Sequence, residues 1–187
     1  MSQIYFDVFD AISFAVKYLQ GREDRPMRPL IMDAFALAGL AESEDEFIAA
    51  LLFFTCGKSQ KARHRLSSLP IDKEIREILY IITLHTDDFI PDPFGYRIDL
   101  IKRRTESSTS DERYIGFVGL TVFSRHVAIR ERQLLLDIAY YQKKEKSVKM
   151  ENIIRNLKSS LEGVRSEKNR LIHAFGEDCY KRLTSCY

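Results

Sequence analysis

Two consecutive long stretches near the end of the chain carry apolar residues at three- and four-residue intervals, and this repeat constrains the fold more than any other feature. In the second stretch Met150, Ile153, Ile154, Leu157, Leu161, Val164, Lys168, Leu171 and Phe175 follow one another, a spacing that puts side chains on one stripe of a 3.6-residue helix. In the first, Tyr114, Phe117, Val118, Val122, Leu134, Leu135, Ile138 and Tyr141 make the apolar side. The pattern predicts two long helices, residues 111 to 144 and 147 to 175, joined at Lys143-Lys144-Glu145-Lys146. So short a connection makes its neighbours antiparallel, so the expected fold is an all-α helical bundle ending in a long antiparallel helix hairpin. Gly116 and Gly119 fall inside the first of these helices. Each costs about 1 kcal/mol against Ala, which implies that another element approaches closely there.

The upstream sequence reads as shorter helices. Ile4, Val8, Ile12, Ala15, Val16 and Leu19 predict a helix over 3 to 20 that Gly21 stops. A second helix starts after Pro29, whose fixed φ suits a first turn, and ends near Gly39. Ser43 and Glu46 form a capping-box pattern ahead of Phe47 to Phe54, a run apolar nearly all round that is expected at the buried centre of the N-terminal half. Lys58 to Ser68 reads as a basic helix closed by Pro70, and Ile71 to His85 as an amphipathic one. Pro91 and Pro93 flank Asp92 and predict a turn or extended loop; Phe94 to Ile101 is the one candidate β segment, and Thr105 to Ser110 is the most linker-like piece. The expected organisation is an N-terminal helical subdomain over 1–90, a loop or linker over 91–110, and the C-terminal hairpin over 111–187.

Charge and cysteine content narrow the class of partner. Twenty-nine basic and 27 acidic residues leave a net charge of +2, so a nucleic-acid partner must be read from local patches rather than from the whole field. Cys56, Cys179 and Cys186 have an odd count and no framework spacing, which points to reduced thiols in the cytoplasm. No signal peptide opens the chain, and its longest apolar stretch falls well short of the about 20 residues that span a bilayer, so no membrane partner is expected. The four histidines lie far apart and no C-x-x-C pair occurs, so neither a metal nor any other cofactor is expected. The phosphate-loop, dinucleotide, serine-hydrolase and zincin motifs are absent.

What remains is Val164 to Phe175, which puts several cations, an amide and a histidine on one helix. Arg165, Asn169 and His173 recur at i, i+4 and i+8 and share a stripe beside the apolar seam, with Arg170 one turn before His173. RNA cleavage suits this set: an imidazole moves the 2′-hydroxyl or leaving-group proton, guanidinium stabilises the charge developing on phosphorus, and an amide orients the imidazole or a phosphate oxygen. A plainer reading stands beside it, because cations in the last turn also complement the negative end of a helix dipole. Lys58, Lys61, Arg63, His64 and Arg65 form the densest basic patch. It reads either as a surface tracking a nucleic-acid backbone or as a solvated helix face.

Asn169-Arg170-Leu171-Ile172-His173 resembles the motif of the HEPN superfamily (higher eukaryotes and prokaryotes nucleotide-binding), all-helical proteins marked by Arg, often Asn next, then His after four to six intervening residues. The resemblance covers about the last 75 residues of the chain. Lys168 stands where the family has its motif Arg, and Lys lacks the bidentate fork that Arg offers to phosphate. Active members commonly form dimers in which two motifs face one composite site, and others are inactive binding or antitoxin-like partners. The resemblance implies a protein that binds or cleaves RNA without a cofactor, as a homodimer, in a defence or toxin-antitoxin setting. His173 would transfer the proton, Lys168 or Arg165 would meet the phosphate, Asn169 would orient and Arg170 would support. The alternative is a non-enzymatic helical module in which the hairpin and its Gly116/Gly119 notch serve self-association or a helical protein partner.

Overall fold

The structure, a computed structural model, describes residues 6–25, 28–83, 90–144 and 147–185, with side chains from 23 to 28 left aside. Among these residues the chain is all-α, with nine helices and one short antiparallel ladder. Helix α1 (Val8–Leu19) opens on Asp7, whose side chain accepts from the Asp10 amide while Asp10 returns the bond, and it ends where Gly21 takes a positive φ of 71°. Of the expected 3–20 helix, residues 3–5 lie outside the described residues and Phe6 lies ahead of this cap. Strands β1 (Glu23–Arg25) and β2 (Arg28–Pro29) pair antiparallel before α2 (Leu30–Ala38), which begins on Pro29 as expected and ends at Gly39.

Helix α3 (Glu44–Lys58) is the buried centre of its region. Ser43 Oγ accepts from the Glu46 amide at 3.2 Å, completing half of the expected box, but the Glu46 carboxylate takes the Glu42 amide at 3.1 Å. From Ile48 to Cys56 every residue is buried. Such a helix has no solvent face to signal which way it points, so its stability comes from the helices α1, α2 and α5 packed around it. The basic stretch after it is not continuous helix. Ser59 breaks it by accepting from the Ala62 amide at 3.3 Å, so Lys58 closes α3 and α4 runs Gln60–Leu66.

Helix α5 (Lys73–Thr83) follows Pro70 and buries Ile75, Ile78, Leu79, Ile81 and Ile82; of the expected 71–85 helix, Ile71 and Asp72 precede α5, and residues 84–85, with His85, lie outside the described residues. The expected loop holds at Pro91 and Asp92, but residues 93–95 and the candidate strand at 94–101 belong to helix α6 (Pro93–Thr105). The physical reason is local: Asp92 Oδ1 accepts from the Gly95 amide at 3.0 Å, and Pro93 occupies the first turn, where its missing N–H has no partner to lose. The serine-rich stretch after α6 is closely tied down. Arg104 bonds both Glu77 (2.9 Å) and Glu112 (3.0 Å), Ser107 donates to Glu112, and Arg113 Nη1 donates to the carbonyls of Ser107 and Ser108 at 2.9 Å each.

Helix α7 (Ser110–Gln142) and helix α8 (Val148–Phe175) are the two long helices that the repeat predicts. A Cβ on Gly116 would meet Thr105 N at 2.6 Å, and one on Gly119 would meet Ile81 Cδ1 at 2.7 Å. The close approach expected at these glycines is thus made by α6 and α5 of the same chain. The chain separates into two compact units, 1–122 and 123–187, with the division inside α7; the boundary expected between 86 and 110 lies upstream of it. The second unit holds the rest of α7, α8 and a last helix, α9 (Glu177–Thr184), which the sequence reading omits. No helix among the described residues is long and apolar enough to cross a membrane.

Candidate nucleic-acid interface

Helix α8 carries all five candidate residues of the motif region, and its boundaries explain how they are presented. Ser147 caps its start by accepting from the Met150 amide at 3.3 Å, and Gly176, with φ of 90°, ends it in a backbone region open to glycine. Arg165, Asn169 and His173 are all exposed, and Lys168 and Arg170 are half-buried. The first three form one line down the helix, spanning about 12 Å at 1.5 Å per residue. Neither Asn169 nor His173 has a side-chain hydrogen bond among the described residues. His173 stands in the last turn of α8, where a cation would also complement the dipole.

The two cations expected to meet phosphate are already engaged. Glu131 on α7 has a side chain only 15% exposed, and it receives Lys168 Nζ at 2.8 Å on Oε2 and Arg165 Nε at 3.3 Å on Oε1. One residue earlier, Arg130 Nη1 bonds Glu167 Oε2 at 2.9 Å. Both sets of pairs join α7 to α8 across the hairpin. Burial by itself raises the Glu131 carboxyl, but the hydrogen bonds and charges of Lys168 and Arg165 together outweigh it and hold the group below the usual glutamate range. At this exposure each pair is worth no more than about 1 kcal/mol, so the carboxylate is held without being irretrievable.

Helix α9 turns back at Gly176 and lies against α8. Its Tyr180 ring centroid is 5.9 Å from Lys168 Nζ, so the ammonium that binds the Glu131 carboxylate also lies near an aromatic ring. Tyr180 is 6% exposed, and its buried hydroxyl has no hydrogen-bond partner among the described residues. Burial first, and the Glu131 charge second, push this phenol up to about 12. The other end of α9 is fixed by Arg125, 3% exposed, whose Nε donates to the Leu183 carbonyl at 3.0 Å. Glu131, Tyr180 and Arg125 are the residues that reading the sequence missed. Glu131 meets Arg165 and Lys168 only through the register between α7 and α8, which the sequence does not fix, and nothing in the sequence marks Tyr180.

The second basic patch belongs to the other unit. Lys61, His64 and Arg65 are exposed on one face of α4, while Arg63 turns inward and donates from Nε (3.3 Å) and Nη2 (3.2 Å) to the Cys56 carbonyl at the end of α3. Lys58 Nζ lies 6.0 Å from the Phe54 ring centroid, and its own carbonyl accepts from Arg22 Nη1 at 3.2 Å. Arg63 thus serves a helix end, which leaves Lys61 and Arg65 as the outward cations of that set. Among the described residues no group of three or more His, Cys, Asp or Glu side chains is placed to hold a metal. Comparison with family models, with curated proteins and with solved structures gives no match in any of the three.

Proposed function

We propose that this chain is a HEPN-like RNA-binding protein whose contact surface is the exposed face of α8, with His173 as the proton-transfer residue of a weak or conditional endoribonuclease. The observation that carries the reading is the exposed line of Arg165, Asn169 and His173, three side chains of complementary chemistry along two helical turns. RNA would lie along α8 with a phosphate at Arg165 and Lys168. His173 would take the proton of a 2′-hydroxyl as its oxygen attacks phosphorus, and the 5′-oxygen would leave with a proton from solvent or from the facing motif of a second copy. Guanidinium and ammonium at the phosphate would stabilise the added charge.

The test is incubation of the purified protein with mixed-sequence RNA beside a folded His173→Ala variant. The expected result is binding retained and cleavage lost in the variant. Absence of both RNA binding and cleavage in wild type contradicts the proposal.

A second reading has its own supporting observation. Leu135, Leu136 and Tyr140 of α7 and Val148 of α8 are exposed toward the hairpin connection, with Met150, Ile153, Ile154 and Leu157 half-buried beside them. This face suits a second copy of the chain, and it is compatible with the two-motif arrangement of the first reading. Leu136→Glu should lower the sedimentation mass of the wild-type species to that of a monomer; a wild type that is already monomeric at all concentrations ends this reading.

A further inference from the structure

Resting on the RNA-binding proposal and deepening it, we infer that Glu131 is a positioning residue that locks the two phosphate cations, and that the Tyr180 hydroxyl is the partner to which its carboxylate moves when RNA draws them away. Three features of the structure meet at one point. Glu131 binds Lys168 and Arg165 at once, one cation on each oxygen. Lys168 Nζ is 2.8 Å from that carboxylate and 5.9 Å from the Tyr180 ring centroid. The Tyr180 hydroxyl is buried with an unused donor, an arrangement that costs free energy in the state described and is relieved in any state that supplies an acceptor.

A phosphate that takes Lys168 and Arg165 would leave Glu131 charged and unpaired on a side chain only 15% exposed, which is costly by itself. Rotation of the Glu131 side chain toward Tyr180 gives the carboxylate a donor and the phenol an acceptor in one movement. The exchange makes and breaks hydrogen bonds only, and no proton changes owner. It also explains how Lys can stand in the motif position: a single flexible ammonium leaves a carboxylate more readily than a guanidinium held by two parallel bonds.

The test is a titration of the full-length chain with a fluorescent mixed-sequence single-stranded RNA, repeated over a series of salt concentrations. It compares wild type, Glu131→Gln, Tyr180→Phe, the double variant and Arg165→Ala. Glu131→Gln should bind several-fold more tightly with the salt slope of wild type, because both complexes carry the same phosphate contacts. Tyr180→Phe should weaken binding in the presence of Glu131 and leave the Glu131→Gln protein unchanged. If Glu131→Gln keeps the wild-type affinity while Arg165→Ala weakens binding, the lock is overturned and the RNA reading stands. If neither wild type nor Glu131→Gln binds, both are overturned. Should Glu131→Gln melt early, Tyr180→Phe decides, because it preserves both ion pairs: unchanged affinity in that variant overturns the exchange.

Discussion

Helices α3 and α8 each run for several turns through their own unit, and they are built on opposite physical terms. Every residue of α3 from Ile48 to Cys56 is buried, with polar atoms satisfied locally, as when Thr55 Oγ1 donates to the Leu51 carbonyl at 2.6 Å. Along α8 only Leu161, Val164 and Leu171 are buried, and it is tied to α7 by Glu131 and by the Arg130–Glu167 pair. The first helix holds its place by excluded water and has nothing left to offer a partner. The second is fastened by exchangeable charges and keeps Arg165, Asn169 and His173 in solvent, which is why function is assigned there.

The sharpest way to break this comparison is to cut the same side chain from each helix. Leu52 is fully buried, so Leu52→Ala should cost about 3 kcal/mol in denaturant unfolding, whereas half-buried Leu157→Ala should cost about 1 kcal/mol. Equal losses would mean that α8 is as much core as α3. The glycines give a contrast of sign. A Cβ at Gly116 collides with the backbone of Thr105 and Arg104, so Gly116→Ala should destabilise by roughly 2 kcal/mol, while Gly163 meets nothing within 4 Å and Gly163→Ala should stabilise by about 1 kcal/mol.

Smaller effects follow from titration. Glu131 is held below the usual glutamate range, so its contribution is present at neutral pH and is lost as pH falls through its lowered value. The stability gap between wild type and Glu131→Gln should therefore close in acid. Tyr180 behaves with the opposite sense: its contribution is complete below the ordinary tyrosine value of 10 and disappears as pH rises through about 12, so an absorbance titration should lose its latest phenolate step in Tyr180→Phe. In the first unit, burial raises the Cys56 thiol to about 12, so this residue should resist alkylation until the protein unfolds, while half-buried Cys179 reacts earlier.

Periodicity made the long helices legible, because Met150 through Phe175 repeats without interruption and Ser147 and Gly176 are strong stops. It failed at α6, where Pro91 and Pro93 suggested a break; the Asp92 side chain converted the second proline into a helix start. It also failed at α9, whose only buried residues are Tyr180 and Leu183, too few to set a pattern. Of the candidate interface, the line Arg165, Asn169 and His173 follows from helix geometry alone. The engagement of Lys168 and Arg165 by Glu131 does not, since it depends on the register between two helices. Nor does the inward turn of Arg63, which depends on where α3 ends.

The most direct measurement sets the two basic surfaces against each other in one RNA-binding assay. Arg165→Ala with His173→Ala on α8 is compared with Lys61→Ala with Arg65→Ala on α4, in folded protein at one fixed salt concentration. Loss of a charge-assisted contact worth about 1.5 kcal/mol predicts at least a tenfold drop for the α8 pair, with the α4 pair near wild type. Wild-type affinity in the α8 pair, or a loss confined to the α4 pair, would contradict the assignment of function to α8.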